Sequence, residues 1–323
     1  MEEIKVSVIV PIYGVEQYIE RCARSLFGQT MLSGIEFIFV DDCSPDRSIG
    51  ILRDTLKEYP ERYEQVTILT HYVNKGLAAT RKTGVRAARG EYIIHCDSDD
   101  WVEPDMYRLI YEEAKRSDAD MVVCNYINEY ENSSETVIQD FNPVKRNQLI
   151  DLLNWRLHCM VWLRMFRRSF YETFGMDTTN VNRGDDHPVS FLAHALSSNV
   201  GYVNLPLYHY NRTNQESMTL HPTRKDYDDA VESWSYIRDF VYSLPVDKEM
   251  RSALNSQLSR VRNKMLRHNE IYDMKRWRNL WPELKLKDCR NFRSKVLVTM
   301  ARLKLDFILR IILKDPTSNR KQN

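Results

Sequence analysis

Short apolar runs rich in β-branched residues recur along the first 125 positions, at 6–10, 37–40, 66–69, 92–94 and 121–123. Between them, the spacing of apolar and polar positions predicts helices over 17–29, 48–59, 77–88 and 104–116. Buried strands alternating with helices of this length mark an α/β chain with a mainly parallel, doubly wound sheet. Such sheets bind ligands in the crevice beyond the carboxyl ends of their strands. Here those ends carry Pro11 and Tyr13, then Asp41 and Asp42, then Asn74, Lys75 and Gly76, then Asp97 to Asp100. Polar chemistry therefore gathers along one rim.

The densest part of that rim is 92–101, YIIHCDSDDW, where an apolar run ends in Asp97, Asp99 and Asp100. Like charges this close repel, and burial raises their cost unless a cation or hydrogen-bond donors compensate. Oxygen-only ligands suit a hard divalent ion, Mg²⁺ or Mn²⁺. The alternative is an acidic turn that caps a helix starting at Pro104. An EF-hand is excluded, because Trp101 stands where that loop needs an acid or amide and no glycine follows.

Beyond residue 125 the pattern loosens. The stretch 129–142 is the most polar and least periodic, and is expected to be a loop joining two halves of one catalytic domain. Long helical patterns take over near 221–226. The expected organisation is thus a catalytic domain over 1–222, split into 1–125 and 126–222, followed by a helical region over 223–323.

Charge sharpens that division. Of the 323 residues, those from 251 to 323 hold 19 Lys and Arg against 6 Asp and Glu, so an overall charge of +1 leaves −12 for 1–250. A basic tail suits an anionic partner, either nucleic acid or an anionic membrane surface. Within it, 295–314 reads as a mostly apolar helix with a polar stripe of Lys295, Thr299, Arg302, Asp306 and Arg310. That pattern suits a helix lying on anionic lipid through 290–314, or one docked on protein. Six scattered cysteines without a CxxC pair read as reduced packing residues. Glu2, Glu3 and Pro11 interrupt any signal peptide, and no window suits a membrane span. The expected location is cytoplasmic, peripheral on the inner face of the plasma membrane.

The ordered segments VSVIVPIY (6–13), VDDCS (40–44), NKGLAATRKTG (74–84), GEYIIHCDSDDW (90–101) and GDDHPVSF (184–191) together resemble the family 2 glycosyltransferases. LYHYNRTNQESMT (207–219) is similar to a further segment of bacterial members. The resemblance covers roughly 4–220. It implies a GT-A fold and an inverting, metal-dependent transfer from a UDP-sugar to a saccharide or lipid-linked saccharide, with no nucleic acid as partner. By the same resemblance, Pro11 and Tyr13 line the base pocket, and Asp42 accepts a hydrogen bond from the ring N–H of uracil. Turn chemistry at Asp41 and Asp42 is compatible with that role. Asn74, Gly76 and Arg81 lie near the diphosphate, although Arg81 can instead buttress the aspartate loops as an internal ion pair. Asp97, Ser98 and Asp99 form a DxD motif in which Asp99 and Asp97 hold Mn²⁺ or Mg²⁺, while Asp100 orients a loop or approaches the sugar.

The resemblance assigns the general base to Asp186, with Asp185 beside it where relatives commonly carry Glu. Both acids also suit a helix N-terminus. The chain departs from the family's Trp-Asn-Lys with Trp162, Leu163 and Arg164, which puts acceptor contacts there in doubt. Two other readings remain. A nucleotidyltransferase making an activated sugar would need a Gly-rich, basic loop after the first strand, which 11–15 does not supply. A non-catalytic nucleotide-binding scaffold would have no need of both Asp99 and Asp186.

Overall fold

Strand β1 (Val6–Ile12) is buried along its whole length at the centre of the parallel half of the sheet, in a computed structural model of the chain. Residues 3–174, 181, 184, 186–215, 223–267 and 273–314 are described. From β1 the chain runs through α1 (Ile19–Phe27), β2 (Ile35–Asp41), α2 (Ser48–Leu56), β3 (Val66–Thr70), α3 (Leu77–Ala87) and β4 (Tyr92–His95). It continues with β5 (Trp101–Val102), α4 (Met106–Arg116), β6 (Met121–Glu129), β7 (Ser134–Val137), α5 (Lys145–Asn154), β8 (Arg164–Arg167), α6 (Arg168–Glu172), α7 (Asp186–Leu196) and β9 (Val200–Asn211).

The strands form one sheet ordered β3-β2-β1-β4-β8-β6-β9-β5, with β7 paired to β6. Pairing is parallel through β3, β2, β1 and β4, and β8 enters antiparallel beside β4. Strands β6 and β9 then resume the first direction. The sheet is mainly parallel, as its apolar runs predict.

Alternate side chains of β1 serve two cores. Val6, Val8 and Val10 join Phe27, Phe37 and Phe39 on one face, while Ile9 joins Ile38, Val85 and Ile93 on the other. Helix α3 lies so close to β1 that a Cβ on Gly84 would sit 2.4 Å from Ile9 Cγ2. This contact brings the amino end of α3, and Arg81 with it, to the carboxyl rim.

Two expectations differ from the structure. The polar stretch 129–142 is not simply a loop: β6 extends through Glu129 and β7 folds back on it as a hairpin. Strand β7 is solvent-exposed on both faces, so no apolar alternation marks it. The second departure is in the tail.

The chain divides into two compact units, Met1–His221 and Pro222–Asn323. The second is helical: α8 (Arg224–Ser243), α9 (Lys248–Arg267), α10 (Met274–Asn279), α11 (Phe292–Arg302) and α12 (Asp306–Lys314). A Thr223–Asp226 capping box starts α8, and Trp277 Nε1 donates to the Arg262 carbonyl at 2.9 Å inside this unit. The helix expected over 295–314 is broken between α11 and α12, where Lys304 adopts a left-handed backbone with φ 60°. Arg302 and Asp306 of the expected polar stripe bond the Leu284 carbonyl and Arg278. That stripe is therefore partly turned into the unit.

Candidate active site

Two acidic turns stand on the carboxyl rim of the first unit, one after β2 and one after β4. The β2 turn is closed by its own chain. Buried Asp42 accepts Lys75 N–H at 2.9 Å and Gly76 N–H at 2.7 Å, and His71 Nδ1 lies 2.7 Å from the same carboxylate. Gly76, at φ 86°, caps α3 in a conformation that favours glycine. His71 Nε2 faces Thr83 Oγ1 at 2.9 Å, and that hydroxyl donates to the Ala79 carbonyl. His71 thus bridges the Asp42 carboxylate and the Thr83 hydroxyl through its two ring nitrogens. Asp42 fastens 74–76 to β2, and three donors leave room for about one more among its four lone-pair sites. Asp41 accepts Ser44 N–H at 2.8 Å, while Ser44 Oγ in turn accepts Gly14 N–H at 2.9 Å.

The β4 turn is compensated differently. Asp97 N–H donates to Tyr208 Oη at 3.0 Å, and Tyr208 donates its own proton to Asp100 at 2.7 Å. Asp100, fully buried, also accepts Asn211 N–H at 2.7 Å. Asn214 Nδ2 reaches Asp99 at 2.9 Å, and Asn211 Nδ2 bonds the Asp99 carbonyl at 3.1 Å. The end of β9 thus clamps the whole acidic turn. Trp162 stacks on Tyr208 with centroids 4.0 Å apart and fixes the phenol from behind. On the outer side, the Arg21 guanidinium sits 3.5 Å from the Trp101 ring centroid, and His209 stacks on the same indole. His209 itself is held between Glu103 and Glu129.

These donors do not neutralise the turn. Burial first, and then the Asp97 charge, pushes the Asp99 carboxyl above its ordinary range. Burial and the charges of Asp99 and Asp97 push Asp100 well above it. Burial and then Asp100 raise the Tyr208 phenol too.

Arg81 is the cation nearest this turn. Its Nη2 lies 2.9 Å from Asp97 Oδ1 and its Nη1 lies 3.0 Å from Asp186 Oδ1. The side chain is only 7% exposed. Arg81 therefore joins carboxylates 89 positions apart in sequence, which is the internal ion-pair alternative raised by the sequence. Asp186 opens α7, where the helix dipole favours a negative charge. Asp185 lies outside the described residues.

The other expected positions fall on the same rim. Pro11 is buried within β1, and Tyr13, just past it, is 52% exposed. Asn74 is exposed, and Ser98 is buried inside the β4 turn. Arg164, at the point of departure from the family pattern, is fully buried and donates to the Met160 carbonyl at 2.8 Å and to the His158 carbonyl. Burial lowers its guanidinium to about 10. It supports the 158–160 segment from inside.

Sequence reasoning gave no role to Tyr208, Asn211, Asn214 or His71. The first three lie in the 207–219 segment that the family resemblance marks, which was the available signal. His71 has none beyond its place at the end of β3.

The family model for glycosyl transferase family 2 matches residues 7–175. The chain belongs to glycosyl transferase family 2. Within this family it is 35% identical over 218 residues to the putative glycosyltransferase EpsH of Bacillus subtilis, 65% of this chain and 61% of that one. It is 33% identical to the uncharacterized glycosyltransferase EpsJ of the same organism, covering 70% of this chain and 66% of that one. The chain thus spans just under two thirds of both relatives. Glycosyltransferase GlyG of Streptococcus pneumoniae is 29% identical, over 87% of this chain and 95% of its own. Among solved structures, S. aureus TarS 1–349 in complex with UDP-GlcNAc superposes with a TM-score of 0.63 at 16% identity, covering 93% of this chain and 92% of that one. Mannosyltransferase PcManGT from Pyrobaculum calidifontis, in complex with GDP-Man and Mn²⁺, gives 0.55 at 15%, covering 97% and 85%.

The donor set of this family 2 chain fits a hard cation. Asp97 and Asp99 are oxygen donors two positions apart, both half-buried, and the Asp99 charge is incompletely balanced. No group of three or more His, Cys, Asp and Glu able to hold an ion occurs among the described residues. The protein would thus contribute one or two carboxylates, leaving the remaining positions to phosphate oxygens and water, the usual Mg²⁺ arrangement.

Proposed function

We propose that the chain is an inverting glycosyltransferase that moves a sugar from a UDP-sugar to a hydroxyl of a saccharide or lipid-linked saccharide. The observation that carries this reading is Arg81, whose two ends hold Asp97 of the β4 turn and Asp186 of α7. In this reading the guanidinium links Asp97, on the donor side, to Asp186, on the acceptor side.

In this reading Asp42 keeps one lone pair for the ring N–H of uracil, while exposed Tyr13 stacks on the base. Asp97 and Asp99 would hold Mn²⁺ or Mg²⁺, which when bound supplies charge neutralisation to the departing diphosphate. Ser98, Asn74 and Gly76 border the donor, and Asp100 holds the turn in shape through Tyr208 and Asn211. Asp186 takes the acceptor's hydroxyl proton as the new C–O bond forms and the anomeric carbon–phosphate oxygen bond breaks. Proton, sugar and UDP are then all accounted for in a single displacement, which inverts the anomeric carbon. Asp186 is oriented for this by Arg81, and Asp185 flanks it in sequence.

The UDP-GlcNAc bound by the TarS neighbour supports a uridine donor, and the GDP-Man and Mn²⁺ of PcManGT support a nucleotide-sugar crevice with a divalent ion. The test is UDP release from a panel of UDP-sugars with saccharide acceptors, with Mn²⁺ or chelator. Release only with Mn²⁺, abolished in Asp99→Ala, is the expected result. Equal release from Asp99→Ala in chelator would overturn the metal assignment. A GDP-sugar preference would overturn the uracil assignment.

A further inference from the structure

We propose that the corner formed by α11 and α12 is a docking surface for a bilayer containing anionic lipid. This inference rests on the second unit alone and is independent of the glycosyltransferase reading.

Helix α12 has a seated side and an open side. Leu309 is fully buried, Asp306 pairs with Arg278, and Leu305 N–H donates to the Met300 carbonyl at 3.0 Å. These contacts fix the rotation of the helix. Away from them, Phe307 is 77% exposed and Ile311, one turn later, 57%. Ile308 is 41% exposed, and Leu303, in the connection to α11, 65%. Five large apolar side chains, Leu305 included, thus lie open within nine positions. Scattered single apolar residues need no explanation, but a contiguous set held outward by buried anchors marks a contact surface.

The charge around the set selects the occupant. Residues 290–314 contain seven Lys and Arg and one acid, Asp306, which is already committed to Arg278. Arg293, Lys295, Arg302 and Lys304 are exposed. A second copy on this face would bring like charges together, which disfavours self-association. Anionic headgroups would instead accept the cations while Phe307 and Ile311 enter the acyl boundary. No described helix is long and apolar enough to cross a membrane, so the contact is interfacial.

The experiment is sedimentation of the full chain with vesicles of phosphatidylcholine alone, or of about seven parts phosphatidylcholine to three of phosphatidylglycerol. Binding to the mixed vesicles should exceed binding to the neutral ones by about ten-fold and weaken as salt is raised. Phe307→Ser/Ile311→Ser and, separately, Lys304→Glu should each reduce it by about ten-fold while the thermal midpoint stays unchanged. Wild-type protein that ignores both vesicle types overturns the proposal, as does a double variant that binds like wild type. Self-association that disappears in the double variant would make the face a dimer contact instead, and overturns it too.

Discussion

The two acidic turns on the rim begin from the same sequence idea, aspartates at the end of a buried strand, and reach opposite electrostatic states. After β2, Asp42 is met by two backbone N–H groups and by His71, all from 71–76. After β4, Arg81 pairs with Asp97, the Arg21 guanidinium comes to 3.5 Å from the Asp99 carbonyl, and the other donors come from a phenol, two amides and a backbone N–H. The first turn is compensated within the protein, with about one acceptor site of Asp42 to spare. The second is held in shape but remains short of positive charge, so burial drives Asp99 and Asp100 up. A turn that is rigid yet undercompensated suits an external cation.

The sharpest break of this contrast is at the carboxylate that shares Arg81 with the β4 turn. Asp186→Asn should lower turnover by about 10²–10⁴-fold, the usual contribution of a general base. UDP binding, followed by thermal shift with Mn²⁺, should stay near wild type; near-normal turnover would remove Asp186 from the reaction. Next comes the pair Asp42→Ala and Asp99→Asn, which the two turns should answer in opposite ways. Asp42→Ala orphans the Lys75 and Gly76 N–H groups and removes the His71 Nδ1 partner, so it should cost about 1–3 kcal/mol or more. Asp99→Asn removes an undercompensated charge while keeping an oxygen for Asn214, so chemical denaturation should find it as stable as wild type or more so. Its thermal response to Mn²⁺ with UDP should vanish. Equal destabilisation by both would mean that the turns do not differ. A comparable loss of stability with no effect on the site is expected at Gly84, where alanine meets Ile9 and should cost about 1–3 kcal/mol in urea unfolding without changing metal response.

How much of this the sequence discloses follows from the range of the interactions. The apolar runs of β1 to β4 and the intervening helices are local patterns, and they lie where the spacing places them. The acidic clusters are equally local. The β9 clamp is not: Tyr208 and Asp100 are 108 positions apart, and no periodicity announces that a phenol serves a carboxylate. The β6–β7 hairpin escapes notice because its exposed strand has no apolar face. Lys304 interrupts the tail helix without a glycine or proline to signal it, so the break shows only in the backbone. Arg81 was readable as a cation near phosphate or near aspartates, and only the fold brings Asp186 to its other end.

The least of the expected effects at neutral pH tests the interior just behind the β4 turn. His95, the last residue of β4, is fully buried, and neither ring nitrogen has a hydrogen-bond partner. Burial, and then the Arg81 charge, pushes its imidazole down to about 3. The unfolded chain therefore binds a proton near the ordinary value of 6.5 that the folded chain refuses until about 3. Stability is intact above that ordinary value and is lost as the pH falls through the window between the two. His95→Leu keeps the volume roughly constant and removes the proton, so it should be neutral or slightly stabilising at pH ~7.5, within about 1 kcal/mol. The advantage over wild type should grow on acidification, by up to about 1.4 kcal/mol per pH unit. Buried His194 is displaced in the same sense, so the variant keeps some acid sensitivity of its own. Urea midpoints measured from pH ~7.5 down to ~5.5 decide the matter, because carboxylates of ordinary pKa begin to titrate below that range and the raised Asp99 and Asp100 are common to both proteins. Parallel curves for the two proteins would mean that His95 finds a proton partner in solution, and the cation shared by Asp97 and Asp186 would then no longer be the charge that keeps it neutral.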